Sequence, residues 1–113
     1  MQLNKLKDVL ALEALTPIPP GCSVEGGYCG DLLSDVLASA KPNDLWITIQ
    51  RHINVVAVAK VVGIPAILIC KGIRPDEEVL KKAETEGLAI LSTHEAVFEI
   101  AGKVYRLLFP EGR

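Results

Sequence analysis

Apolar runs of strand length alternate with short polar turns and helical segments through the second half of the chain. These runs cover residues 45–49, 66–69 and 88–91. They are almost continuously apolar, which is typical of strands that are buried on both faces of a parallel sheet. Helical patterns follow them at 53–62, 75–86 and 94–108. Alternating strands and helices predict an α/β fold, with a mostly parallel sheet flanked by helices and right-handed crossovers.

The first half of the chain is predicted to add one extended segment and two helices. Apolar residues at helical spacing predict an opening helix over 3–13, which the prolines that follow must end. Residues 22–29 read as extended, with a break at Gly26-Gly27. A second helix follows shortly afterwards. The sheet should therefore contain about four to five strands, all within a single domain that covers residues 1–113.

Polar residues mark the start of three predicted helices. Asp31 is placed to cap the second helix of the chain. Pro75 suits the first position of the helix over 75–86, and Ser92 followed by Glu95 fits a capping box before the closing helix. We expect these side chains to fix the helix ends.

The predicted helix over 53–62 is apolar nearly all round, which is unusual for a small domain. A helix of this kind is normally buried on more than one side. Because a chain of 113 residues has few places to bury a whole helix, we expect a self-association surface and a homodimer. The alternative is that neighbouring helices of the same chain cover it.

Length and charge narrow the classes of function. The length suits one domain, and half of the residues are apolar, so the core needs no metal or disulfide. The net charge of −2 argues against nucleic acid as a partner, since phosphate contacts need a basic patch. No apolar run reaches the ~20 residues that span a membrane, and no signal peptide is recognisable, so we expect a cytoplasmic protein.

The cysteines carry the main enzymatic alternative. Three cysteines lie far apart without a CxxC pair, so we expect no metal and no cofactor. Cys29 or Cys70 could pair with His52 or His94 as nucleophile and base, and Lys71 beside Cys70 would lower the thiol pKa. No P-loop, nucleophile elbow or zinc-protease motif occurs. We therefore expect no enzymatic activity, with a thiol-dependent enzyme as an alternative.

Polar residues gather in the turns that follow the strands. Ligands of open parallel sheets bind beyond the carboxyl ends of the strands, so these residues are the candidate binding site. They include three certain cations and stand near several helix N-termini, an environment that favours a nucleotide or another phosphorylated anion. The alternative is that they only cap helices and face water. The candidates are Tyr28, Gly30, Asp31, Gln50, Arg51, His52, Lys71, Gly72, Arg74, Thr93 and His94.

At these turns the sequence resembles the DRTGG domain family, which is named for an Asp-Arg after one strand and a Thr-Gly-Gly after the next. The resemblance rests on residues 27–36, 44–54 and 69–75 and extends over most of the chain. Gln50-Arg51 stands where the family has Asp-Arg, and Cys70-Lys71-Gly72 stands where it has Thr-Gly-Gly.

The resemblance implies a regulatory, non-catalytic α/β domain that tends to dimerise. Domains adjacent to it in regulated pyrophosphatases bind adenine nucleotides, which suggests the class of ligand. The fold is also similar to the N-terminal domain of HPr serine kinase/phosphorylase, whose kinase chemistry lies in a separate P-loop domain. We therefore expect a ligand-sensing homodimer that binds a nucleotide-like anion. The alternatives are an interaction module for a partner protein, without a small ligand, and the thiol-dependent enzyme.

Overall fold

The structure, a computed structural model, describes all residues from 1 to 113. It contains five strands, β1 (Glu13–Ala14), β2 (Gly26–Cys29), β3 (Asp44–Thr48), β4 (Ala66–Ile69) and β5 (Ala89–Ser92). The five helices are α1 (Leu3–Leu10), α2 (Leu33–Ser39), α3 (Asn54–Val62), α4 (Glu77–Thr85) and α5 (Val97–Leu108). The strands form one sheet in the order β1-β5-β4-β3-β2, in which only β1 is antiparallel to its neighbour. The predicted fold class is confirmed.

Both faces of the sheet are covered by helices, as the continuous apolar runs predicted. All residues of β3, β4 and β5 are buried. Leu45, Ile47 and Leu68 pack on one face with residues of α1 and α5, whereas Trp46 and Ile67 pack on the other with α2, α3 and α4. Burying a side chain of this size contributes about 1.5–3 kcal/mol, so the two layers account for much of the stability. None of the helices is both long enough and apolar enough to cross a membrane.

Helix α3 is largely covered within its own chain. Val55, Val56 and Ala59 are buried against the sheet, and α2 and α4 both contact the helix. Val61, at 76 % exposed, is its one strongly exposed large apolar side chain. The structure thus accommodates this helix by the alternative arrangement, with neighbouring helices around it. Self-association through α3 stays a prediction.

The opening helix is shorter than its apolar spacing predicted. It ends at Leu10, because Ala11 adopts a left-handed conformation with φ 53° and its N–H donates to the carbonyls of Lys7 and Asp8. Glu13 and Ala14 then pair antiparallel with β5, so the prediction of helix up to residue 13 was wrong. Gly26 and Gly27 lie within β2 and do not break it.

The three predicted helix starts were also wrong, because each helix begins one or more residues later than predicted. The side chain of Asp31 bonds to the end of β3, and Leu32 occupies the N-cap of α2. Pro75 lies before the Asp76 N-cap of α4, and Ser92 belongs to β5. Local sequence cannot reveal the tertiary partners of Asp31.

Candidate functional site

The parallel strands β2 to β5 end at one side of the sheet, and the turns that follow them form a continuous surface. We call this surface the strand-end edge and define it as residues 30–31, 49–52, 70–74 and 93–95. Register places Cys29 beside Ile47, and Thr48 beside Ile69. Turns far apart in sequence are therefore neighbours, as the sequence predicted.

The turn after β3 is held by side chains. Asp31 Oδ1 accepts hydrogen bonds from Thr48 Oγ1 at 2.7 Å and from the N–H of Ile49 at 3.1 Å. Gln50 Nε2 donates to the carbonyl of Asp31 at 3.2 Å. Gln50 Oε1 accepts the N–H groups of Arg51 and His52, both at 3.0 Å. Asp31 and Gln50 thus position the turn that carries Arg51 and His52.

The N-terminus of α3 has few N–H groups left for a ligand. The side-chain oxygen of Gln50 accepts the N–H groups of Arg51 and His52. Nδ1 of His52 accepts the N–H of Asn54 at 3.1 Å. The next N–H groups, of Val55 and Val56, donate to backbone carbonyls. This turn therefore offers a ligand mainly the side chains of Arg51 and His52, because most N–H groups at the start of α3 are already bonded.

Arg51 and Arg74 differ in their surroundings. Nη1 of Arg51 donates to the carbonyl of Arg74 at 3.4 Å, so this guanidinium bridges the turns after β3 and β4. Nη1 of Arg74 lies 3.3 Å from the carboxylate of Glu13, whereas Arg51 is in no salt bridge. Glu13 comes from β1, 61 residues earlier, and nothing in the sequence indicated this pair. A cleft of about 330 Å³ beside Arg51 is lined by Gln50, Arg51, His52 and Asp76.

The turn after β4 is held by its backbone. Lys71 and Gly72 both have left-handed conformations, with φ of 64° and 69°. The N–H of Ile73 donates to the carbonyl of Cys70 at 3.3 Å and closes a tight turn. The N–H of Lys71 donates to the carbonyl of Glu95 at 3.0 Å, which ties this turn to the segment after β5.

Lys71 is the strained residue of this turn. A left-handed conformation costs a residue with a Cβ atom roughly 1–2 kcal/mol, whereas glycine adopts it freely. The Lys71 side chain is exposed and takes part in no hydrogen bond or salt bridge of the structure. The chain thus keeps an unpaired cation where glycine would fit with less strain.

Gly72 and His94 are in close contact. The N–H of Gly72 donates to the carbonyl of Thr93 at 2.9 Å. A Cβ atom on Gly72 would stand 2.8 Å from Nδ1 of His94, so the imidazole ring occupies the space that a side chain would fill. The structure therefore brings His94 to the turn that carries Lys71.

Three other candidates have polar atoms that are already engaged. The hydroxyl of Tyr28 donates to Asp35 at 2.6 Å on α2, and this bond raises the pKa of Tyr28. The carbonyl of Gly30 accepts the indole N–H of Trp46 at 2.8 Å. Thr93 is buried, and its Oγ1 accepts the N–H of Glu95. The candidates with side chains exposed at the edge are Arg51, His52, Lys71, Arg74 and His94, of which Arg74 is paired with Glu13.

The thiols are poor nucleophiles in this environment. Burial, followed by the charges of Cys29 and Asp31, raises the pKa of Cys70 to about 11. Burial and the Asp31 carboxylate also raise the pKa of Cys29. The expectation that Lys71 lowers the pKa of Cys70 was wrong, because desolvation dominates. No group of three or more His, Cys, Asp or Glu side chains is arranged to hold a metal ion.

Comparisons with known proteins agree with this architecture. The family model of the DRTGG domain matches residues 28–107. Among solved structures, the chain is similar to the CBS and DRTGG domains of the regulatory region of Clostridium perfringens pyrophosphatase, complexed with the activator diadenosine tetraphosphate. The identity is 15 % and the TM-score 0.65, over 90 % of this chain and 44 % of that one. The chain thus spans less than half of the pyrophosphatase fragment. No curated protein sequence matches it.

Proposed function

Because the chain belongs to the DRTGG domain family, we propose that it is a non-catalytic regulatory domain that binds a nucleotide-like or other phosphorylated anion at the strand-end edge. We further propose that it acts in the cytoplasm as a homodimer. The pyrophosphatase regulatory region of similar fold is complexed with diadenosine tetraphosphate. That complex makes adenine nucleotides the first ligands to test.

The observation that carries the proposal is the state of Lys71. Its ammonium group has no partner in the chain, although its backbone is in an unfavourable conformation. Arg51, after the adjacent strand, also lacks a carboxylate partner and reaches toward the same turns. Two unpaired cations at the ends of neighbouring strands suit a phosphate, whose oxygens accept charge-assisted hydrogen bonds. Strained residues of this kind tend to occur at ligand sites.

Isothermal titration calorimetry with AMP, ADP, ATP, diadenosine tetraphosphate and pyrophosphate tests the proposal. We expect saturable binding of at least one compound, weakened about tenfold or more by Arg51→Ala and by Lys71→Gly. Lys71→Gly is informative because it removes the cation while relieving the backbone, so weaker binding cannot result from damage to the turn.

Lys5→Ala is the matched control, because it removes one exposed cation from α1, away from the strand-end edge. The affinity of this variant for the compound that binds should equal that of the unmodified chain. The proposal fails if none of the compounds binds, or if Arg51→Ala and Lys71→Gly bind as tightly as the control.

A second candidate function, an interaction module for a partner protein, is supported by exposed apolar side chains. Phe98 on α5 is 85 % exposed, more than any other large apolar side chain, and Val61 on α3 follows it. Under this function all five compounds fail to bind. A candidate partner would then lose affinity on Phe98→Ser or Val61→Ser, while the melting temperature of the free chain stays unchanged.

A further inference from the structure

The outer face of α5 carries an apolar seam that is exposed along the helix. The seam consists of Phe98, Gly102 and Tyr105, with spacings of four and three residues. Phe109 ends the helix, and its ring lies between Tyr105 and the guanidinium of Arg113. Phe98 is 85 % and Tyr105 46 % exposed, whereas residues of the opposite face are buried in the core. Alternating spacings of three and four place residues in one line along a helix, as in coiled coils.

Gly102 interrupts this seam without any reason inside the chain. Glycine is less favourable than alanine within a helix, so a helix-interior glycine normally marks a close approach. No atom lies within 4 Å of the place where its Cβ would stand. A groove of about 620 Å³ passes over Gly102, with Phe98 and Tyr105 among its lining residues. The space above Gly102 is therefore open to a group from outside the chain.

Charges beside the seam favour one orientation of a partner helix. Glu99 and Arg106 each follow an aromatic seam residue, are seven residues apart and have opposite signs. If two copies of α5 lie antiparallel, Glu99 of each copy approaches Arg106 of the other. If they lie parallel, each residue faces its own copy, and like charges repel.

We propose that α5 pairs antiparallel with α5 of a second copy of this chain. With residues 103 and 104 at the centre, Tyr105 of each copy enters the groove over Gly102 of the other. The same register places Phe98 at the C-terminal end of the partner helix, next to Leu108. Glu99 of one copy and Arg106 of the other are then offset by two residues, or about 3 Å along the helix axis. These long side chains can span that distance. The inference rests on the homodimer in the proposed function and locates its interface on α5, not on α3.

Sedimentation velocity of the full chain over a range of concentrations tests the pairing. A helix pair of this length buries a small area, so we expect a concentration-dependent equilibrium between monomer and dimer. Glu99→Arg and Arg106→Glu should each weaken the dimer about tenfold, since two ion pairs become two repulsive contacts. Glu84→Arg, a reversal at an exposed position of α4, is the control and should change nothing.

Two combinations of these variants examine the antiparallel orientation. The double variant with both reversals should regain the original dimer, because its opposite charges meet again. An equimolar mixture of the two single variants should form a heterodimer, since each supplies the charge that the other lacks. If neither combination restores association, the antiparallel arrangement is wrong.

The Gly102→Gln substitution tests the contact between the two copies without destabilising the folded monomer. Glutamine is a good helix former, and no atom of the chain obstructs it, so the dilute monomer should melt at the same temperature or higher. The dimer should be lost because the groove is filled. A chain that stays monomeric at all concentrations would overturn both this inference and the homodimer. A dimer that withstands the α5 substitutions would overturn the inference alone, and nucleotide binding is measured independently of either.

Discussion

The turns after β3 and β4 both present cations at the strand-end edge, but they are held in different ways. The first turn depends on the side chains of Asp31 and Gln50, which supply acceptors and a donor for the backbone around them. The second depends on two left-handed residues, Lys71 and Gly72, and on bonds between backbone atoms. Side-chain identity should therefore control the first turn, and backbone conformation the second.

This difference gives a reason for the residues at the two family motifs. The resemblance places Gln50 where the family has Asp, and its Oε1 supplies an oxygen acceptor at that position. Lys71 stands where the family has its first glycine, and the left-handed φ of 64° explains why glycine suits that place. The departure at Gln50 keeps the acceptor, whereas the departure at Lys71 adds both strain and a positive charge.

Asp31→Ala should give the largest effect and should loosen only the first turn. It leaves the buried hydroxyl of Thr48 and the N–H of Ile49 without their acceptor, at a cost of about 2–3 kcal/mol in the free energy of unfolding. Urea unfolding measures this loss. Hydrogen exchange should accelerate at Arg51 and His52 but not at Gly72.

Asp31→Asn is the control for that change, because it keeps an oxygen acceptor and removes the charge. It should cost less than half as much as Asp31→Ala. Equal losses, or faster exchange in both turns, would contradict the separate control of the two turns.

Gly72→Ala should have the converse effect and loosen only the second turn. The left-handed φ of 69° costs alanine about 1–2 kcal/mol, and its Cβ displaces the ring of His94. The loss should be smaller in a His94→Ala background, where the ring is absent. A thermal unfolding series of the two single variants and the double variant measures this coupling; strict additivity would show that the contact with His94 is unimportant.

Stability should fall between pH 9 and pH 11 because of Cys70, which begins the second turn. Its pKa is raised from 9.0 to about 11, so over this range the unfolded chain has lost a proton that the folded chain retains. Fewer protons on the unfolded state mean that the free energy of unfolding decreases as pH rises, by at least about 1 kcal/mol for this thiol. Cys70→Ala should show a shallower decline in urea unfolding. Identical slopes would mean that the thiol is not shielded.

Lys71→Gly should give the smallest effect, and it is stabilising. Glycine relieves about 1–2 kcal/mol of left-handed strain in the folded chain. It also adds conformational entropy to the unfolded chain, which costs about 0.4–1 kcal/mol. The free energy of unfolding should therefore rise by about 0.5–1 kcal/mol. Lys71→Ala removes the same charge without relieving the backbone and should give no gain. Comparable melting temperatures for the two variants would show that the conformation of Lys71 is not strained.

Part of the strand-end edge could be predicted from the sequence. The apolar runs identified β3, β4 and β5, and parallel strands necessarily bring the turns after them to one side of the sheet. Arg51, Lys71 and His94 were located there by this argument alone. Tyr28 was placed in the turn after its strand, but it lies within β2 and its hydroxyl donates to Asp35 on α2.

By itself, the sequence determined the α/β class, the strands of the core and the polar turns that meet at the edge, because these follow from the local order of apolar and polar residues. Only the tertiary structure decided what each polar atom does. Asp31 bonds to β3 instead of capping α2, and Arg74 pairs with Glu13 from an antiparallel strand that no pattern indicated. The left-handed backbone of Lys71 likewise depends on the segment after β5. These contacts join residues that are distant along the chain, so only the packed sheet brings their atoms within hydrogen-bond distance.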